Sequence, residues 1–248
     1  LKISIITVVY NNRETIKDAI ESVLSQSYSD IEYIIIDGNS NDGTVEIIKE
    51  HSEKIAFFIS ENDKGIYDAM NKGIKVSTGD VIGILNSDDL YQDLTVIEAV
   101  MDQFIQDSEI DIVYGDLVYV KSDNTDHIVR KWKSETYYKR YFENGNVPPH
   151  PSLFVTSKVY KQAGVFETNY KLAADYELML RIFKKHNFNS KYIDKVLVKM
   201  RLGGATNQSI SNIIKQNKEI LAAWKNNKLK TPLLIMPLRF LKRLIQFI

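Results

Sequence analysis

The chain has no cysteine. Disulfide bonds and thiolate metal sites are therefore excluded, and a reducing compartment suits the composition. Proline is scarce: 5 in 248 residues, three of them within 147–155. Net charge is absent too, with 32 Lys and Arg against 32 Asp and Glu. No basic-aromatic stripe is interleaved along the chain, so no nucleic-acid partner is expected. No run of 18 apolar residues occurs, and no membrane-spanning helix is expected. The apolar opening ISIITVV lacks a basic leader and a small-residue cleavage site, so no secretion signal is expected and the location reads as cytoplasmic.

Enough remains for a sizeable core, since 44% of the residues are hydrophobic. The balanced charge hides an asymmetry. From Ile213 onward eight Lys and Arg face one Asp or Glu, so this tail carries +7 and the rest −7. Such a split marks a basic segment facing an anionic partner.

The first half alternates strand and helix patterns. ISIITVV (3–9), EYIIID (32–37), IAFFIS (55–60) and VIGIL (81–85) are apolar runs of strand length. Between them, 12–27, 43–51 and 65–77 have helical spacing, and 94–106 follows as a fourth helix. Asn11 and Glu14 are spaced as a capping box for the first helix. Apolar strands joined by helices predict an α/β fold, a mostly parallel sheet covered on both faces. Beyond residue 120 the rhythm loosens. Strands are expected at 110–120, 127–132 and 190–202, and helices at 175–186 and 210–227. The prolines of 147–155 forbid regular structure at its start.

Ligands of open parallel sheets bind beyond the carboxyl ends of the strands. Those positions collect Tyr10 and Asn11, then Asp37, then Asp63 and Lys64, then Asn86, Asp88 and Asp89. Two adjacent carboxylates at the end of a core strand raise each other's pKa unless something neutralises them. An exposed acidic turn would carry them at little cost.

TVVYN, IIDGNSNDGT, ENDKGIYDAMNKG, STGDVIGILNSDD, HPSLFV and LAADYELMLR follow one another in the order and spacing of family 2 glycosyltransferases. The chain resembles most the bacterial enzymes that build capsule, exopolysaccharide or lipopolysaccharide chains. The resemblance covers roughly residues 1–205. It implies the GT-A nucleotide-diphospho-sugar transferase fold, a divalent cation (Mn2+ or Mg2+) and inversion at the anomeric carbon. By resemblance, residues 1–120 bind the nucleotide sugar, 121–205 hold the acceptor and the catalytic group, and 206–248 form a basic amphipathic helical extension.

By the same resemblance Thr7, Tyr10 and Asp37 line the base and ribose pocket, with Asn11 beside them. Tyr10 can also be an ordinary half-buried core residue, and DGNSNDGT a turn that caps a helix. Lys64 can serve a phosphate as a point charge, and Gly65 allows close backbone approach. Asp68 and Asn71 are either donor ligands or a solvated helix face. Asn86 stands where the family often has Asp; it keeps an acceptor oxygen but loses a charge. Asp89 is assigned to the cation, and Asp88 to the ribose or the cation. His150 is either a further metal ligand or a loop residue shaping the acceptor cleft. Asp175 corresponds to the catalytic base of the family, although it can equally complement a helix dipole. RLGGATNQ (201–208) reads as a loop over the cleft.

The expected activity is transfer of a sugar, from a UDP-sugar above all, to a hydroxyl of a growing, lipid-linked glycan. Two other classes compete. A nucleotidyltransferase would share the sheet but needs a basic, Gly-rich N-terminal loop for triphosphate, which TVVYNNRE lacks. A non-catalytic carbohydrate-binding protein would not need Asp88, Asp89 and Asp175, all of which are present. In the tail 231–248, Leu238, Leu241, Ile245 and Ile248 fall on one helical face and Arg239, Arg243 and Gln246 elsewhere. That pattern suits a helix lying at the inner face of the membrane, or one docked on the protein or on a second subunit of a homodimer.

Overall fold

The computed structural model describes residues 1–203 and 210–246. β1 (Ile3–Val9), β2 (Ile31–Asp37) and β4 (Val81–Ile84) are apolar and largely buried. β1 pairs in parallel with β2 and β4, and β2 with the edge strand β3 (Phe57–Ser60). The connections are α1 (Ile16–Leu24), α2 (Thr44–Glu50) and α3 (Ile66–Val76). These strands lack polar alternation because both of their faces are covered.

Antiparallel partners enter further along. β8 (Leu153–Thr156) lies between β4 and β6 (Ile112–Val120). β9 (Ser190–Arg201) runs parallel to β6, β5 (Asp89–Tyr91) pairs on β9, and β7 (Ile128–Trp132) pairs on β6. Among the described residues this is one sheet in the order β3-β2-β1-β4-β8-β6-β9-β5, with β7 off that path.

Strand side chains alternate between two cores. Ile6, Val8, Ile34, Ile36, Ile82 and Ile84 face one layer, which holds α3, α5 (Ser157–Ala163), α6 (Ala174–Leu180), α7 (Ile210–Asn226) and Ile235 of α8 (Ile235–Ile245). Ile3, Ile5, Val9, Tyr33 and Ile35 face the other, built on α1, α2 and α4 (Val96–Gln106). Residues 206–248, expected as an extension, thus send Ile220, Ala223, Trp224 and Ile235 into the common core.

Four differences from the sequence reading stand out. Asp89–Tyr91 is a strand rather than a turn, and α5 was not anticipated. The capping box does not form: α1 begins at Ile16, and Asn11 instead adopts a left-handed φ of 47°. The Asn11 Oδ1 accepts the Asn41 N–H at 2.9 Å, joining the loops after β1 and β2. On α8 the outward face also differs. Leu233, Leu234, Phe240 and Leu241 are exposed, while Leu238 is half-buried and Arg239 packs inward over the Tyr176 ring at 4.7 Å.

Candidate active site

Asp37 ends β2 as a fully buried carboxylate. Its Oδ2 accepts from the Ser40 N–H at 2.9 Å and the Ser60 hydroxyl at 2.6 Å, and its Oδ1 accepts from the Ser40 hydroxyl. These bonds organise the turn after β2. The Ser40 Oγ in turn accepts the Asn11 N–H at 2.7 Å. Tyr10 is 64% exposed at this edge. Its ring packs on Gly38, where an added Cβ would lie 3.2 Å from the ring and 2.6 Å from the Asp63 Oδ2. Gly38 is what lets Tyr10 and Asp63 close on each other. Thr7 lies one layer below, fully buried, with its hydroxyl accepting from the Tyr33 phenol at 3.0 Å. It braces this edge and does not line it.

The start of α3 is shaped by Gly65, whose φ of 116° is costly for other residues. Nothing lies within 4 Å of where its Cβ would be. The Gly65 N–H donates to Asp63 at 2.7 Å, and the Lys64 N–H to Asp68 at 3.0 Å. Asp68 therefore caps the turn, while the Lys64 side chain is exposed. Asn71 is committed elsewhere. Its amide donates to the Phe166 carbonyl and accepts the Phe166 N–H, both at 2.9 Å. It clasps α3 to the segment before α6, which takes it out of the expected donor set.

Asp89 is fully buried at the start of β5. Its Oδ2 accepts from the Asn86 amide at 2.8 Å, but its Oδ1 and the Asn86 Oδ1 are buried without partners. Burial and the neighbouring Asp88 push the Asp89 carboxyl well above the usual range, and burial raises Asp88 too. Arg201, at the end of the strand expected over 190–202 but not assigned to the site, ends β9 here. It is buried, donates to the Asp88 carbonyl at 2.9 Å and pairs with Asp18. Residues 204–208 of RLGGATNQ lie outside the described residues.

Among the described residues no three His, Cys, Asp or Glu converge as a complete metal site. The donor set nevertheless fits one kind of cation. Two orphaned oxygens and two carboxylates with raised pKa values suit a hard divalent ion that brings phosphate oxygens as its remaining ligands. His150 does not join them. It is buried beside Asp175, edge-on to Phe166 at 5.4 Å between ring centres. Burial lowers its pKa, and Asp175 partly offsets this. It is therefore a neutral imidazole packed against Phe166.

Asp175 is half-exposed on the first turn of α6. The rest of that helix is bolted down. Glu177 is buried and bonds Arg181 twice, at 3.1 and 2.8 Å, and accepts from Asn227 at 2.9 Å. Tyr176 accepts from the Trp224 indole at 2.9 Å. The Tyr67 phenol reaches the Asp175 Oδ1 at 3.3 Å, and the Tyr67 ring stacks on Phe166.

The sheet register sets Asp89 near Tyr119. Tyr119 on β6 pairs with Met200 on β9, and Met200 pairs with Asp89 on β5. At the ordinary strand spacing Tyr119 and Asp89 are roughly 10 Å apart. Burial raises the Tyr119 phenol, which also feels Asp89 and Asp175 as nearby negative charges. Asp89 and Asp175 thus both lie on the side of the sheet end that carries Tyr119.

Comparisons with known proteins identify the family and the fold. The model of Glycosyl transferase family 2 matches residues 4–161. An uncharacterised glycosyltransferase of Rickettsia typhi is 31% identical over 232 residues, covering 90% of this chain and 70% of its own. Among solved structures, Staphylococcus aureus TarS (residues 1–349) in complex with UDP-GlcNAc superimposes with a TM-score of 0.69 at 15% identity, covering 93% of this chain and 68% of that one. The mannosyltransferase PcManGT of Pyrobaculum calidifontis, in complex with GDP-Man and Mn2+, gives 0.68 at 16%, covering 96% and 68%. The chain spans 41% of a longer TarS chain. The fold is that of the GT-A glycosyltransferases, and the chain belongs to glycosyl transferase family 2.

Proposed function

We propose that the chain is an inverting transferase that moves a hexosyl or hexosaminyl group from a nucleotide-diphospho-sugar to a hydroxyl of a surface glycan. The observation that carries this reading is the fully buried Asp89 carboxylate at a strand end, one oxygen fixed by Asn86 and the other without a partner. Tyr10 offers an exposed ring to the base, and Asp37 and Ser40 set the turn beneath it. The Lys64 side chain and the backbone at Gly65 face the phosphates. Asp88 and Asp89, with the Asn86 oxygen, would hold a divalent cation, Mn2+ or Mg2+. When bound, that cation neutralises charge developing on the leaving diphosphate. Asp175 takes the proton of the acceptor hydroxyl, held in place by Tyr67.

UDP is the favoured nucleotide, because TarS is recorded with UDP-GlcNAc; GDP is its rival, since PcManGT holds GDP-Man. A panel of UDP-, dTDP- and GDP-sugars with Mn2+, scored by nucleotide release and thermal shift, tests the reading. One donor should give metal-dependent release, and no release or shift with any donor would overturn it.

The outer face of α8 supports peripheral attachment to an anionic membrane. Leu233 is 99% exposed, and Leu234, Phe240 and Leu241 are exposed beside it. Lys225, Lys228 and Lys230 precede them in the chain and Lys242 follows, all exposed. Apolar side chains with a basic rim suit an interfacial helix, each lysine contributing ~1 kcal/mol near anionic lipid. No described helix is long and apolar enough to cross a membrane. The protein should co-sediment with phosphatidylglycerol vesicles, more weakly in high salt. Leu233→Glu with Phe240→Glu should weaken binding at least tenfold, since burying each side chain contributes about 1.5–3 kcal/mol. Equal binding by the double variant would exclude this face.

A further inference from the structure

The same helix carries cations to the base side of the cleft. Arg239 and Arg243 are four residues apart on α8 and share a face. The Lys131 N–H donates to the Gln246 carbonyl at 3.1 Å, which holds the end of α8 against β7. Next to Lys131, Arg130 lies over the Tyr119 ring at 4.0 Å. Arg239 lies over Tyr176, the neighbour of Asp175. This docking is tight, for a Cβ on Gly145 would come within 2.8 Å of the Arg239 backbone nitrogen.

Like charges one helical turn apart repel, and burial makes this costlier. The Arg239 Nη1 is nevertheless buried with no hydrogen-bond partner. Among the described residues neither Arg239 nor Arg243 enters an ion pair. Burial and the Arg243 charge pull the Arg239 pKa down, while Asp175 opposes this from a distance. Converging guanidinium groups of this kind match the oxygens of a phosphate.

We infer that Arg239 and Arg243, with Arg130 on the adjoining strand β7, form a phosphate site for the acceptor, so that the molecule receiving the sugar carries a phosphate or diphosphate. This rests on the transferase reading above. The acceptor is favoured over the donor because Arg239 lies over the ring of Tyr176, the residue next to Asp175. In a single displacement the base and the leaving diphosphate occupy opposite sides of the reacting carbon.

Calorimetry on the full chain tests this. The protein is saturated with UDP and Mg2+, then titrated with inorganic pyrophosphate or with farnesyl diphosphate. Both should bind as a second ligand. Arg239→Gln and Arg243→Gln should each weaken that step about tenfold or more, with UDP affinity within twofold of the parent. Tighter binding of farnesyl diphosphate identifies a lipid-linked source, and equal binding a soluble phosphorylated glycan. Failure of the UDP-loaded chain to bind either probe overturns the inference. So does parallel loss of UDP and diphosphate binding in the variants, which would give the arginines to the donor. If UDP itself fails to bind, the transferase reading falls, and the same titration without UDP still reports on the arginines. Arg243→Gln alters a partly exposed position, so it guards against misfolding of the Arg239 variant.

Discussion

Asp89→Asn should remove the metal dependence of UDP binding and leave the fold intact. In the parent, UDP with Mn2+ or Mg2+ should raise thermal stability far more than UDP with chelator. Binding to the native state alone adds about 2.7 kcal/mol at a ligand concentration ~100 times Kd. Asp89 is the better target of the pair because it is wholly buried, with one carboxylate oxygen fixed by Asn86 and the other without a partner. The amide is nearly isosteric and removes a buried charge, so the unliganded variant should be at least as stable as the parent. Asp88 is less buried, so Asp88→Asn should reduce the metal increment less. The check is a melting series with UDP, cation and chelator in each combination. An undiminished metal increment in Asp89→Asn would take the cation away from this strand end.

The parallel half of the fold was legible because it is written in apolar runs. β1, β2 and β4 must be hydrophobic along their length to be covered on both faces, and the helices between them show one apolar stripe each. Short elements set by tertiary pairing were not legible. β5 is three residues long and exists because Asp89, Leu90 and Tyr91 pair with β9 more than a hundred positions away. Site residues divide in the same way. The Asp88–Asp89 pair and Asp175 carry a signal in the chain itself. The commitment of Asn71 to Phe166 and the burial of Thr7 under Tyr33 depend on partners far along the chain. Arg201 gave no local sign, because its partners Asp18 and Asp88 come from two other segments. On α8, helical spacing finds the stripes, but only packing decides which one turns inward. Arg239 faces in because Tyr176 supplies a ring for its guanidinium.

Asp175→Asn should keep metal-dependent UDP binding within about twofold and lower transfer by roughly 10²–10⁴-fold, the usual contribution of general base catalysis. Displacement at an anomeric carbon passes through an oxocarbenium-like state, and the acceptor hydroxyl attacks well only as its proton leaves. The carboxylates past β2 and β4 have other roles: Asp37 is held by Ser40 and Ser60, and Asp88 and Asp89 belong to the proposed cation site. Asp175 is the half-exposed carboxylate left facing the cleft, and its known bond, to Tyr67, is long at 3.3 Å. The helix beneath it is fixed by Glu177–Arg181 and Tyr176–Trp224, so the substitution removes a proton acceptor without moving the backbone. His150 cannot easily replace it, because burial disfavours the charged imidazolium that proton transfer would create. Tyr67→Phe gives a graded comparison. It keeps the ring stack on Phe166 and should slow transfer much less than loss of the carboxylate, since it removes one long hydrogen bond to the base. Single-turnover rates with saturating donor separate chemistry from binding in these variants, and product NMR should show an anomeric configuration opposite to that of the donor. Near-normal turnover in Asp175→Asn would exclude this residue as the base, and a retained configuration would overturn the single displacement.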